Sequence, residues 1–116
     1  MKNDLQERTK AFALKLFDLV ERIPKGRSGD AVARQLNRSG TSMGANYREA
    51  SRARSKDDFI DKVALSTKEA SETTFWLELI NESSHLKTTG SLELCNESRE
   101  LMAILITIGK NAAAGR

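Results

Sequence analysis

The sequence predicts an all-α protein folded as an antiparallel up-and-down four-helix bundle. Three observations predict it. The 116 residues include one proline and only 5% aromatics, and they are rich in Ala, Leu, Glu, Lys and Arg, which favour helix. Apolar residues recur at intervals of three and four in four separate segments, the period of an amphipathic helix. Short breaks divide these segments, and short connections make consecutive helices antiparallel neighbours. The length supports one domain over 1–116 with one core.

The first helix is expected over about 4–23. Asp4 suits its N-cap, and Leu5, Phe12, Leu16, Leu19 and Ile23 form its core stripe, widened by Ala13, Phe17 and Val20. Pro24, Gly26 and Gly29 break the pattern and Ser28 or Asp30 restarts it, placing the second helix over about 30–53. Ser55 opens a third helix over about 56–85, and Asp58 completes a capping box with Asp in place of the usual Glu. The core stripe of that helix reads Phe59, Val63, Ser66, Ala70, Thr73, Leu77, Ile80 and Ser84. Leu65, Glu69, Glu72, Trp76 and Leu79 form a second stripe beside it. Lys87 to Gly90 has turn chemistry, and Thr89 or Ser91 caps a fourth helix over about 91–111. That helix sends Leu94, Cys95, Ser98, Leu101, Met102, Leu105 and Ile108 toward the core before an Ala/Gly-rich tail frays.

The second helix carries the most specific pattern. At 100° per residue, Arg34, Arg38, Arg48 and Arg52 fall on one stripe, opposite Val32, Leu36, Met43, Tyr47 and Ala50. Gln35, Ser39, Ser42, Asn46 and Glu49 occupy one flank; Ala33, Gly40, Gly44 and Ser51 occupy the other. Two helical glycines one turn apart cost roughly 1 kcal/mol each relative to Ala, so they predict that another helix approaches closely there. A helix crowded on several sides at once further implies that copies of the chain dock together.

Nineteen Lys/Arg face sixteen Asp/Glu, a net charge of +3, but the charge is divided. Twelve basic and four acidic residues lie between Arg8 and Lys56, whereas seven glutamates face Lys87 and Arg99 between Glu69 and Leu101. A basic half points to nucleic acid; a basic half beside an acidic one also points to self-association. The lone Cys95 excludes an internal disulfide and reads as a small buried apolar residue. The opening MKNDLQERTK lacks the apolar run of a signal peptide. Met102 to Ile108, the longest apolar run, is far short of the ~20 residues of a membrane span. No membrane partner and a cytoplasmic location are therefore expected.

The pattern offers little to catalysis, and no enzyme is expected. Glu69 and Glu72 sit at i, i+3, but di-iron bundles require Glu-x-x-His motifs and none is present, so no metal or cofactor is expected. Ser39, Ser42 and Cys95 have no histidine near them in sequence, the single one being His85. The polar flank of the second helix is expected to meet Glu69, Glu72 and the Trp76 indole, within or between subunits, because unmet buried polar groups cost roughly 1–3 kcal/mol. The alternative is a solvated face. The arginine stripe has three readings: a solvated face, pairing with carboxylates of a neighbouring subunit, or phosphate binding over about 27 Å of helix at 1.5 Å per residue. No aromatics interleave with it, which speaks against single-strand stacking.

RQLNRSGTSMGANYREASRA followed by FIDKVALSTKEASETTFWLELI resembles the four-helix bundle proteins encoded in intervening sequences of bacterial 23S ribosomal RNA genes. That family also includes the accessory variability protein of diversity-generating retroelements. The resemblance covers both central helices closely and extends to nearly the whole chain. It implies an up-and-down bundle assembled as a ring, typically a homopentamer, with no known enzymatic activity. The retroelement branch implies a basic barrel that engages a reverse transcriptase and nucleic acid, RNA or DNA. The family pattern falls on Arg38, Ser39, Ser42, Asn46, Glu49, Lys68, Glu69, Glu72 and Trp76. The acidic later half of this chain departs from that strongly basic branch.

Overall fold

The computed structural model describes residues 4–115, and these form four helices with no strand among them. They are α1 (Asp4–Arg22), α2 (Arg27–Ser51), α3 (Lys56–Glu82) and α4 (Ser91–Ala114). Each helix packs on the next, and α4 returns to α1. The result is a square bundle around one core, with α1 diagonal to α3. The α1–α4 seam is open, holding a groove of about 610 Å³ floored by Phe12 and Leu94.

The core follows the apolar stripes. Leu5, Phe12, Leu16, Leu19 and Ile23 from the first segment meet Val32, Leu36, Met43, Tyr47 and Ala50 of α2. Val63, Ala70, Leu77 and Ile80 of α3 and Leu94, Cys95, Leu101 and Leu105 of α4 complete it. Phe17, expected to widen the α1 stripe, is exposed; it lies 100° of helical turn beyond Leu16, past the edge of the buried face. Phe59, Met102 and Ile108 only flank the core.

Helix ends differ from expectation where backbone geometry replaces side-chain capping. Asp4 is the first described residue of α1, and the N-cap expected there borders residues outside the described ones. α2 begins at Arg27, ahead of Asp30, with Gly26 in the capping position and no side-chain cap. Ser55 does cap α3, accepting from the Asp58 amide at 3.1 Å. α3 stops at Glu82 instead of reaching His85, because Ser83 turns extended, and Ser84 is consequently exposed. Gly90, not Thr89 or Ser91, occupies the N-cap of α4 with a left-handed φ of 91°, a conformation glycine adopts without steric cost. Ser91 is buried and donates to the Asn81 side chain.

The glycine edge of α2 is covered by α1 of the same chain. A Cβ built on Gly40 would overlap the Leu16 side chain, and one on Gly44 would come within 3.1 Å of the Thr9 hydroxyl. The close approach predicted from the two glycines is therefore present, but it occurs inside one bundle. Gly40→Ala should destabilise the fold by about 1–2 kcal/mol: overpacking costs of 1–3 kcal/mol outweigh a helix-propensity gain of up to about 1. Gly44→Ala, facing a looser contact, should fall close to neutral. Urea unfolding of the two variants measures the difference, and equal midpoints would contradict the packing argument.

Candidate functional site

The most specific side-chain chemistry lies where α2 crosses α3. Ser39 and Thr73 are both buried, and their hydroxyls hydrogen bond at 2.8 Å. One turn along α2 and two turns along α3, the Ser66 hydroxyl donates to the Met43 carbonyl at 2.7 Å. On the opposite flank of α3, Thr74 and Ser98 of α4 share a hydroxyl bond of 2.6 Å. Small hydroxyl side chains let three helices approach closely while each of these buried hydroxyls finds a partner.

At the rim of this seam Arg38 clamps α3. Its guanidinium donates to Glu69 at 3.1 and 3.3 Å and to Glu72. The Trp76 indole N–H donates to Glu72 at 3.3 Å. The Arg38 hydrogen bond holds the Glu72 carboxyl below the usual carboxylate range, with help from Trp76 and Lys68 against partial burial. The same carboxylates, Glu69 first, raise the Arg38 pKa. Arg38 is thus drawn from the arginine stripe into a pairing within its own chain. Arg34, Arg48 and Arg52 remain exposed, and no ion pair joins them to another described residue.

The polar flank meets α3 through fewer members than its pattern implied. Ser39 is the flank residue that bonds across the seam. Asn46 turns back to the Ser42 carbonyl at 3.0 Å; Gln35 and Ser42 are half-buried, and Glu49 is exposed. Glu69, Glu72 and Trp76 lie at the seam, with Arg38 bonded to both carboxylates and Trp76 to Glu72. The helical angle places Arg38 on the stripe opposite the apolar face, with Arg34, Arg48 and Arg52. The length of its side chain, which the helical angle does not register, lets it reach over the flank.

Other reactive groups are dispersed. Cys95 is fully buried, and burial pushes its thiol pKa up. His85 lies in the exposed α3–α4 connection beside Ser83. Among the described residues, no group of three His, Cys, Asp or Glu side chains is placed to hold a metal ion. No helix among them is long and apolar enough to cross a membrane.

Sequence analysis did not single out the outer apolar surface. Leu14 and Phe17 on α1, Leu65, Phe75 and Leu79 on α3, and Leu92 and Ile106 on α4 are all exposed. Two of these residues, Leu65 and Leu79, belong to the second stripe of the third segment, beside its core stripe.

The pattern that forms the seam also places the chain among known proteins. The 23S rRNA-intervening sequence protein family matches residues 1–107. The chain belongs to that family. A crystal structure of a protein of unknown function from the S23 ribosomal protein family of Bacteroides thetaiotaomicron VPI-5482 is similar, with a TM-score of 0.82 and 35% identity over 91% of this chain and 98% of that one. No curated protein matches the sequence. In this member of the 23S rRNA-intervening sequence protein family, the α2–α3 seam unites five of the residues on which the resemblance rests: Arg38, Ser39, Glu69, Glu72 and Trp76.

The depressed pKa of Glu72 fixes the sign of a pH effect. A carboxylate with a lower pKa folded than unfolded stabilises the fold above its unfolded value and loses that contribution as pH falls through the folded one. Acid unfolding should therefore steepen below about pH 4.5, the reference value for Glu72. Glu72→Gln should be less stable at pH 7 and lose less between pH 5 and 3. Thermal melts across that range measure it; parallel curves for the two proteins would contradict the Arg38–Glu72 assignment.

Proposed function

We propose that this protein is a non-enzymatic assembly unit whose copies join head to tail into a closed cytoplasmic ring. The family resemblance sets the expected number at five. The observation that carries this reading is the two-sided apolar character of α3. Val63, Ala70, Leu77 and Ile80 face the core, while Leu65, Phe75 and Leu79 face outward. A helix apolar on opposite sides belongs in an interior, and one bundle covers only one of those sides.

The glycine edge of α2 no longer argues for a second copy, since α1 fills it. The division of charge still does: a basic patch meeting an acidic patch is a heterologous contact, the kind that closes rings. The non-enzymatic reading is supported by the use of the polar residues at the seam, whose hydroxyls and charges are spent on one another. Mass photometry at micromolar concentration should give a single closed species of several chains, five by the family expectation. A strict monomer would end the reading.

A second reading, a nucleic-acid-binding accessory factor acting with RNA or a reverse transcriptase, is favoured by one observation. Arg34, Arg48 and Arg52 keep their charges free of partners among the described residues while Arg38 does not. If these three bind phosphates, affinity for structured RNA or duplex DNA should fall steeply with salt. Removing any one should reduce the slope of log K against log salt by about 1, and Arg38→Ala should change it less. Absence of binding at low salt would exclude this reading.

A further inference from the structure

Polar bonds tie three of the four helices into one unit and leave α1 outside it. α2 and α3 are joined by Ser39 with Thr73, by Ser66 with the Met43 carbonyl and by Arg38 with Glu69 and Glu72. α3 and α4 are joined by Thr74 with Ser98, by Ser91 with Asn81 and by Arg99 with Glu78. Among the described residues, no side-chain hydrogen bond or ion pair joins α1 to α2. Thr9, the α1 residue beside Gly44, spends its hydroxyl on the Leu5 and Gln6 carbonyls of its own helix.

Toward α4, α1 is fastened at its two ends. Near its start, the Arg8 guanidinium donates to Glu97 at 2.8 and 3.2 Å and to Glu100 at 3.0 Å. At its end, Arg22 donates to the carbonyl of Thr89, just before α4, at 3.0 Å. The two arginines stand about 21 Å apart along the helix at 1.5 Å per residue. Between them runs the open groove of the seam, lined by Lys15 and Asp18 of α1 and Glu93 of α4, and none of these three side chains bonds across it. The turn into α2 adds no restraint of its own: the Ile23 amide bonds back to Val20 and the Asp30 amide back to Gly26. Pro24 has no amide to donate, and Gly26 sits at a φ of 143°.

We infer that α1 is a releasable strap, which swings off the α2–α3–α4 unit about Pro24 and Gly26 while that unit stays folded. Burial of Phe12, Leu16 and Leu19 holds the strap closed, and Arg8 and Arg22 clasp its two ends. α4 borders the same groove, so apolar contact alone does not choose between the two helices. The bonds of α4 to α3 make the choice, because local opening takes the segment with the fewest interactions to lose. Release uncovers Leu94 of α4, which floors the groove beside Phe12, and the Gly40–Gly44 edge of α2. The motion belongs to one chain and is independent of how many copies assemble.

Native-state hydrogen exchange in dilute urea tests this at the middle of the helices, clear of fraying ends. Amides of residues 12–19 in α1 should exchange about tenfold or more faster than those of residues 94–101 in α4. Arg8→Ala opens one clasp and should speed residues 12–19 by a further factor of about two to five, the worth of surface ion pairs, while leaving 94–101 unchanged. Arg99→Ala, which removes a surface pair between α4 and α3 instead, should leave 12–19 unchanged. Circular dichroism establishes that both variants are folded. Equal exchange in the two segments of the wild type, the sign of a bundle that opens as one unit, would overturn the strap, as would faster exchange in α4. Arg8→Ala speeding both segments alike would overturn it too, because α1 would then not move alone. Arg8→Ala speeding neither would overturn the clasping role of Arg8.

Discussion

The bundle depends on how closely α2 can be approached from both sides. On one flank, Gly40 lies beneath Leu16, and no side chain larger than hydrogen fits there without displacing a fully buried residue. On the other, Ser39 meets Thr73 hydroxyl to hydroxyl. Close approach at both flanks shuts water out of the interior, so each buried hydroxyl must find a partner within the protein. The distribution of Ser and Thr along α3 answers that demand: Ser66 and Thr73 bond toward α2, and Thr74 bonds toward α4. α3 therefore behaves as the central strut, tied by small polar side chains to both neighbours.

The arginine clamp follows from the same geometry. Once α2 and α3 are drawn together, Arg38 reaches Glu69 and Glu72 across the rim, and Trp76 closes over Glu72. An exposed ion pair contributes little to stability in isolation. Here one guanidinium is shared between two carboxylates one turn apart, which specifies the register of α3 against α2 as much as it stabilises it. Register matters because the outer surface of α3 holds Phe75 and Leu79, and their position relative to the rest of the bundle determines what that surface can meet.

In this member of the 23S rRNA-intervening sequence protein family, polar residues serve packing at the seam and apolar residues extend to the surface. The α1–α4 seam, the most open of the four, presents charges of both signs over a narrow apolar floor. Arg8 is already tied there to Glu97 and Glu100. Arg34, Arg48 and Arg52, on the outside of α2, form no ion pair with another described residue.

Helical periodicity alone determined the class of fold, the core stripes and the close approach at Gly40 and Gly44. These are consequences of 3.6 residues per turn and of side-chain size, both of which are local. Helix ends at Gly26, Glu82 and Gly90 were less legible, because backbone turns and neighbouring loops, not capping side chains, terminate those helices. Only the tertiary structure decided where long side chains go and which apolar residues stay outside. A helical wheel assigns Arg38 a direction but not a reach, and it marks Phe17 and Phe75 as apolar without saying whether a neighbouring helix is there to cover them. Those outcomes depend on the separation and rotation of whole helices, which exist only once the four have packed.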